Sequence, residues 1–191
     1  MRTTELAPGT TLIDRQDAAA VSAAALKAFT RRLKLRLRLG NRGFTICLMG
    51  DAEIRRLNRT FRGKDRATDV LSFPATARSE SFRRKSSRFL GDVAISVETA
   101  ARNARREGHS TLNEIRWLIL HGVLHLLGYD HAADNGEMNR LELQVREELG
   151  VGGKSKSGSN GKRQMANGEA DMGARPGRES RRRSGRQGSS I

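Results

Sequence analysis

The sequence predicts an α+β domain over residues 1–150, followed by a disordered basic tail over residues 151–191. Strand-like apolar runs crowd the chain before Glu98, whereas long helical patterns with capping signals follow it. That segregation marks α+β rather than alternating α/β architecture. Composition changes sharply after Gly150, where the chain becomes rich in Gly, Ser and Arg and lacks any aromatic residue. Such a segment cannot bury enough apolar surface to offset the entropy of ordering it.

The folded part is expected to start near Thr10, with Leu12 and Ile13 in a short first strand. The Ala-rich stretch Asp17 to Arg32 reads as helix. Leu33, Leu35, Leu37 and Leu39 alternate with Lys34, Arg36 and Arg38, which is strand periodicity, a frayed helix end being the alternative. Gly43 to Met49 reads as a buried strand. Asp51 is expected to cap a short helix through about Arg59. Arg62 to Thr68 is polar and flexible in composition, and Val70 to Phe73 is a strand stopped by Pro74. Ala75 to Arg88 is a polar, basic loop, and Leu90 to Val97 is the next strand. Helices are expected over Glu98 to Glu107 and Thr111 to Leu127, the second opened by a Thr111–Glu114 capping box. A similar Asp134–Glu137 pattern opens a last helix ending at Leu149. No internal repeat is visible.

The chain carries 36 Lys or Arg against 21 Asp or Glu, a formal charge of +15. The tail holds +7 of this and the rest +8, a distribution suited to a polyanion such as nucleic acid. The tail is only loosely similar to RG-type single-strand binding segments; a solvated extension is the alternative. Aromatic residues make up 4%, so aliphatic side chains must fill the core and base stacking must be sparse. The lone cysteine, Cys47, cannot form an internal disulfide and points to a reducing compartment. No stretch approaches a membrane span, and no export signal is visible. A cytoplasmic protein is expected.

Three of the four histidines fall within eleven residues: His121, His125 and His131. His121 and His125, four apart in a helical segment, share one face. Gly128 permits the left-handed turn that ends a helix, letting His131 return as a third ligand. Three imidazoles leave a fourth position open, the pattern of a catalytic zinc ion, and favour zinc or nickel over magnesium. His109 lies outside the pattern and reads as a surface residue. The spacing matches that of metzincin peptidases, yet Gly122 stands where their general-base Glu would be. Asp130 is either a substitute base or, the favoured role, a residue orienting a ligand.

The segment His121 to His131 closely resembles the signature of the YbeY endoribonucleases, the ribosomal RNA maturation factors of bacteria. Two further blocks agree, Leu57 to Pro74 (LNRTFRGKDRATDVLSFP) and Gly91 to Ser96 (GDVAIS). The resemblance covers roughly Leu12 to Gly150. It implies a zincin-like α+β fold with a mixed sheet against several helices, and one zinc ion on His121, His125 and His131. It implies an arginine, Arg62, facing the metal cleft. It further implies a single-strand-specific endoribonuclease, acting with the ribosomal small subunit in rRNA processing, 16S rRNA 3′-end maturation and ribosome quality control. Ala67 stands where the family usually has Pro, which loosens the turn without removing chemistry. The tail has no counterpart in the resemblance.

Within that reading, Arg62 meets charge on the phosphoryl oxygens, and Lys64, Arg66, Arg83, Arg84 and Lys85 line an RNA path. Asn58 is expected to brace the loop carrying Arg62, and Thr68 and Asp69 to form the turn into the next strand. The competing functions are a metzincin-like metallopeptidase, a non-catalytic ribosome-associated factor with a structural metal, and, more remotely, a small-molecule hydrolase.

Overall fold

Arg2–Ala7 (β1) and Thr10–Asp14 (β2) form an antiparallel hairpin at one side of a five-stranded mixed sheet. The computed structural model describes residues 1–75, 88–129 and 136–151. The proposed tail disorder and most of the basic loop after Ala75 lie outside these residues. Ala23–Arg36 (α1) follows the hairpin and leads into Gly43–Met49 (β3), which pairs parallel to β2. Next come Asp51–Arg62 (α2) and Val70–Pro74 (β4), then Phe89–Ser96 (β5). β5 inserts between β3, to which it is parallel, and β4, to which it is antiparallel. The sheet order is therefore β1–β2–β3–β5–β4. Three helices complete the domain: Val97–Glu107 (α3), Thr111–Leu126 (α4) and Glu137–Leu149 (α5). No described helix is long and apolar enough to cross a membrane.

The two-residue strand period sorts side chains onto two faces. Ile46, Leu48, Val70, Val93 and Ile95 join the main core, beneath α1, α4 and α5. Cys47, Met49, Leu71, Phe73 and Ala94 point the other way, where Ile54 and Leu57 of α2 cover them.

Several expectations need correction. The chain is already ordered at β1, before Thr10. The Leu33–Leu39 alternation is not a strand: α1 runs through it to Arg36. Leu26, Phe29 and Leu33 are buried at helical spacing, whereas Leu35 is 81% exposed. The stretch contains no β-branched residue after Thr30, and Leu, Lys and Arg are all strong helix formers. Lys34 also breaks the in–out pattern. It is buried, and its Nζ donates to the carbonyls of Pro8 (2.6 Å) and Arg42 (2.7 Å), tying the β1–β2 turn to the loop before β3. Burial pushes the Lys34 ammonium below its ordinary pKa.

The caps also shift by a residue. Ser110, not Thr111, caps α4, its Oγ accepting from the Asn113 amide at 3.2 Å. Glu114, the expected capping partner, is fully buried, with His109 Nε2 at 3.1 Å. His109 is thus no surface side chain. α5 is preceded by Gly136 in the left-handed conformation, and Asp134 lies outside the described residues.

Gly50, not Asp51, is the cap residue of α2, and that helix extends to Arg62. Glu98 of α3 accepts from the Asp51 amide at 2.7 Å, satisfying one orphan donor of the α2 N-terminus. Asp51 in turn accepts from the Ser96 and Thr99 hydroxyls and from Arg102. The two helix starts are therefore cross-linked by reciprocal carboxylates.

Partial burial pushes the Asp51 carboxyl up, but the bonds from Ser96, Thr99 and Arg102 outweigh it and hold the pKa below 3.8. The contribution of Asp51 to stability is consequently complete above pH 3.8 and is lost as pH falls through its lower folded pKa. Asp51→Ala is expected to cost about 1–3 kcal/mol at neutral pH, read as a lower urea midpoint with unchanged slope. This difference should shrink as the pH is taken below 3.8; a difference independent of pH would contradict the assignment.

Candidate metal centre

α4 is apolar on nearly every side: Ile115, Leu118, Ile119, Leu120, Val123 and Leu124 are all buried. It lies directly on β4 and β5, and at Gly122 its backbone comes close to both. A Cβ at Gly122 would stand 2.6 Å from Val93 Cγ1 and 3.1 Å from Ser72 Oγ. The Ser72 hydroxyl donates to the Gly122 carbonyl at 3.3 Å. Glycine thus lets the helix backbone reach the sheet, and position 122 faces β5 rather than open solvent.

Flanking this contact, one residue before it and three after it, His121 and His125 bring their rings together. Their Nε2 atoms are 3.1 Å apart, and the rings meet edge-on with centroids at 4.7 Å. Two nitrogens on one tetrahedral zinc ion, with bonds of 2.0–2.1 Å, stand about 3.3 Å apart. The pair therefore fits two ligands of a single ion. Among the described residues no group of three His, Cys, Asp or Glu side chains is arranged to hold a metal ion. His131, the expected third ligand, and Asp130 lie outside them. Gly128 has φ +91°, as its helix-ending role requires.

Behind His121 stands a residue that the sequence reading missed. Glu142 of α5, itself 5% exposed, places Oε2 at 3.3 Å from His121 Nδ1. Its other oxygen accepts from Trp117 Nε1, and the Arg146 guanidinium covers the Trp117 ring at 3.9 Å. Burial pushes the Glu142 carboxyl up, but bonds from His121 and Trp117, with the charges of His121 and Arg146, outweigh it. The pKa is held below 4.5. An ionised Glu142 accepts from His121 Nδ1–H and leaves the Nε2 lone pair for a metal. A signal was available in the sequence. Met138, Glu142, Val145 and Leu149 form the buried stripe of α5, and a carboxylate in an apolar stripe calls for a partner.

Arg62 is the last residue of α2 rather than part of a loop. It is half-buried, and burial pushes its guanidinium pKa down. Gly63, at φ +67°, ends the helix with its amide on the Arg59 carbonyl. α2 and α4 lie on opposite faces of the sheet. Between them, β4 is the outermost strand on that side of the sheet. Phe61 packs edge-on against Phe73 of β4, with centroids at 5.1 Å, and fixes the helix end to that strand.

The following loop is braced as expected. Buried Asn58 donates to the Arg66 carbonyl at 2.8 Å, and Arg55 grips Asp65 with two bonds of 2.9 and 2.8 Å. Asp69 accepts from the Val70 amide and from Thr68, setting the turn into β4. Lys64 and Arg66 are exposed on this loop beside Arg62. Arg83, Arg84 and Lys85 lie outside the described residues.

Residues 8–150 match the family model described as Endoribonuclease YbeY. A relative from Solibacter usitatus, named Endoribonuclease YbeY, is 45% identical over 143 residues, covering 75% of this chain and 90% of its own. One of the same name from Koribacter versatilis is 45% identical over 139 residues, covering 72% and 84%. A solution structure of a Thermotoga maritima protein is 27% identical and superposes with a TM-score of 0.49, over 72% of this chain and 89% of its own.

The Gly122 contact has a diagnostic sign. Gly→Ala inside a helix ordinarily stabilises by about 1 kcal/mol. Gly122→Ala should instead destabilise by about 1–3 kcal/mol through overpacking against Val93, measured by urea unfolding. A stabilised variant would show that α4 does not rest on β5 there.

Proposed function

The chain belongs to the Endoribonuclease YbeY family, and on that premise we propose a zinc-dependent endoribonuclease that cleaves single-stranded RNA. The observation that carries the metal reading is the 3.1 Å convergence of two imidazole nitrogens on one face of α4, with an ionised carboxylate behind the more buried ring. His121, His125 and His131 would hold one ion in a zincin-like setting. When bound, zinc supplies Lewis acidity toward a phosphoryl oxygen and activates water at neutral pH.

The protein residues supply the rest. Glu142 orients His121. Arg62 meets the negative charge that builds on the non-bridging oxygens, its planar fork matching two of them. Partial burial strengthens that attraction, because water screens it less. Lys64 and Arg66, together with Arg83, Arg84 and Lys85, guide the phosphate backbone toward the centre without reading sequence. We assign small-subunit ribosomal RNA as the substrate, with 16S 3′-end maturation and ribosome quality control as the cellular role, in the cytoplasm.

Gly122 favours this reading over a metallopeptidase. Any side chain at that position would run into Val93 and Ser72 rather than serve as a base beside the metal.

The 191-residue chain with zinc should cut a single-stranded RNA endonucleolytically. A His125→Ala control from a parallel preparation should be inactive, as should the parent after chelation. Equal cleavage by parent and control would remove the activity from this site. Loss of helical circular dichroism on chelation would instead favour a structural metal. Separately, Arg62→Ala should lower kcat about 10²–10³-fold while zinc affinity is kept, with Arg62→Lys recovering only part. Unchanged kcat would exclude Arg62 from the chemistry.

A further inference from the structure

The Glu142 carboxylate has two oxygens and two buried donors. Trp117 Nε1 donates to Oε1, and His121 Nδ1 lies at 3.3 Å from Oε2. Trp117 and His121 are one turn apart on α4, so both address Glu142 from the same helix face. An indole N–H can only donate, whereas a neutral imidazole places its proton on either nitrogen. Of the two partners, only His121 has a choice to make. Its side chain is 1% exposed and Glu142 is 5% exposed, so bulk water cannot readily replace the bond between them.

We propose that Trp117 is a positioning residue that anchors the Glu142 carboxylate against His121. By holding one Glu142 oxygen, it keeps the other fixed at His121 Nδ1, where a carboxylate oxygen only accepts, and so steadies the ring with its Nε2 lone pair aimed at His125. Arg146, stacked on the indole at 3.9 Å, holds the ring in place. The inference rests on the metal reading for its purpose but not for its measurement, since the tautomer can be read without metal.

The isosteric change Glu142→Gln makes the test sharp. An amide offers one acceptor and one donor group. Trp117 keeps the amide oxygen, which turns the NH₂ toward His121 Nδ1. That nitrogen must then accept, so the proton moves to Nε2, into the position needed for the metal. Removing the indole donor as well, with Trp117→Phe, frees the amide to rotate and present its oxygen to His121 again. The double variant should therefore outperform the single one, which simple loss of packing would not produce.

The experiment uses the full chain with ¹⁵N-histidine, metal-free, to read the His121 tautomer by NMR, and zinc competition against a chelating dye to read affinity. The parent and Trp117→Phe should show Nδ1–H. Glu142→Gln should show Nε2–H with zinc affinity lowered about 10–100-fold. The double variant should return to Nδ1–H and recover most of the affinity. An Nε2–H parent, an Nδ1–H Glu142→Gln variant, or a double variant no better than Glu142→Gln would each overturn the proposal. Should Glu142→Gln fail to fold, Trp117→Phe decides: exchange of the His121 Nδ1 proton must accelerate about tenfold, and unchanged exchange refutes the positioning role. The expected tautomers in a parent that binds no zinc would sink the metal reading and leave the anchoring role of Trp117 standing.

Discussion

The contact between the Gly122 backbone and Val93 governs the geometry of the whole centre. α4 carries both imidazoles, and its height above the sheet is set by the absence of a side chain at that point. A helix resting on larger residues would stand further off. His121 would then rise relative to the sheet, and the register between α4 and α5 would change with it. The Ser72 hydroxyl on the Gly122 carbonyl adds a directional bond to an otherwise apolar contact. Position 122 thus serves packing here, whereas the similarly spaced peptidase motif uses that position for a base.

A buried imidazole needs a defined proton as well as a defined position. The desolvation that would neutralise Glu142 is outweighed by bonds from His121 and Trp117 and by the charges nearby. That balance makes the carboxylate an acceptor for a ring that is almost wholly removed from water. The arrangement stabilises only while every buried polar atom has a partner, because a half-satisfied network in low dielectric costs more than an apolar one. Asp51 and Glu98 solve a milder form of the same problem at the surface, each serving the N-terminal region of the other's helix.

The helices that carry Arg62 and the imidazoles pack on opposite faces of the sheet. β4, the outermost strand, separates them: Ser72 faces α4, and Phe73 faces α2 through Phe61. The loop after Arg62 is pinned by Asn58 and by the Arg55–Asp65 pair, and it presents Lys64 and Arg66 to solvent.

The local patterns were legible in the sequence. The four-residue spacing of His121 and His125, the strand at Gly43 to Met49, the strand ended by Pro74 and the α+β ordering all depend on periods of a few residues. Boundaries read less well, because caps are set by backbone dihedrals that neighbouring residues share, as Ser110 and Gly50 show. Where period alone was ambiguous, at Leu33 to Leu39, helix propensity and the buried face formed with Leu26 and Phe29 prevailed over alternation. Only the tertiary structure decided the insertion of β5 between β3 and β4, the burial of Lys34, the meaning of Gly122 and the place of Glu142. Each of these joins segments distant in sequence, and a partner 21 residues away leaves no trace in the spacing of the residue it serves.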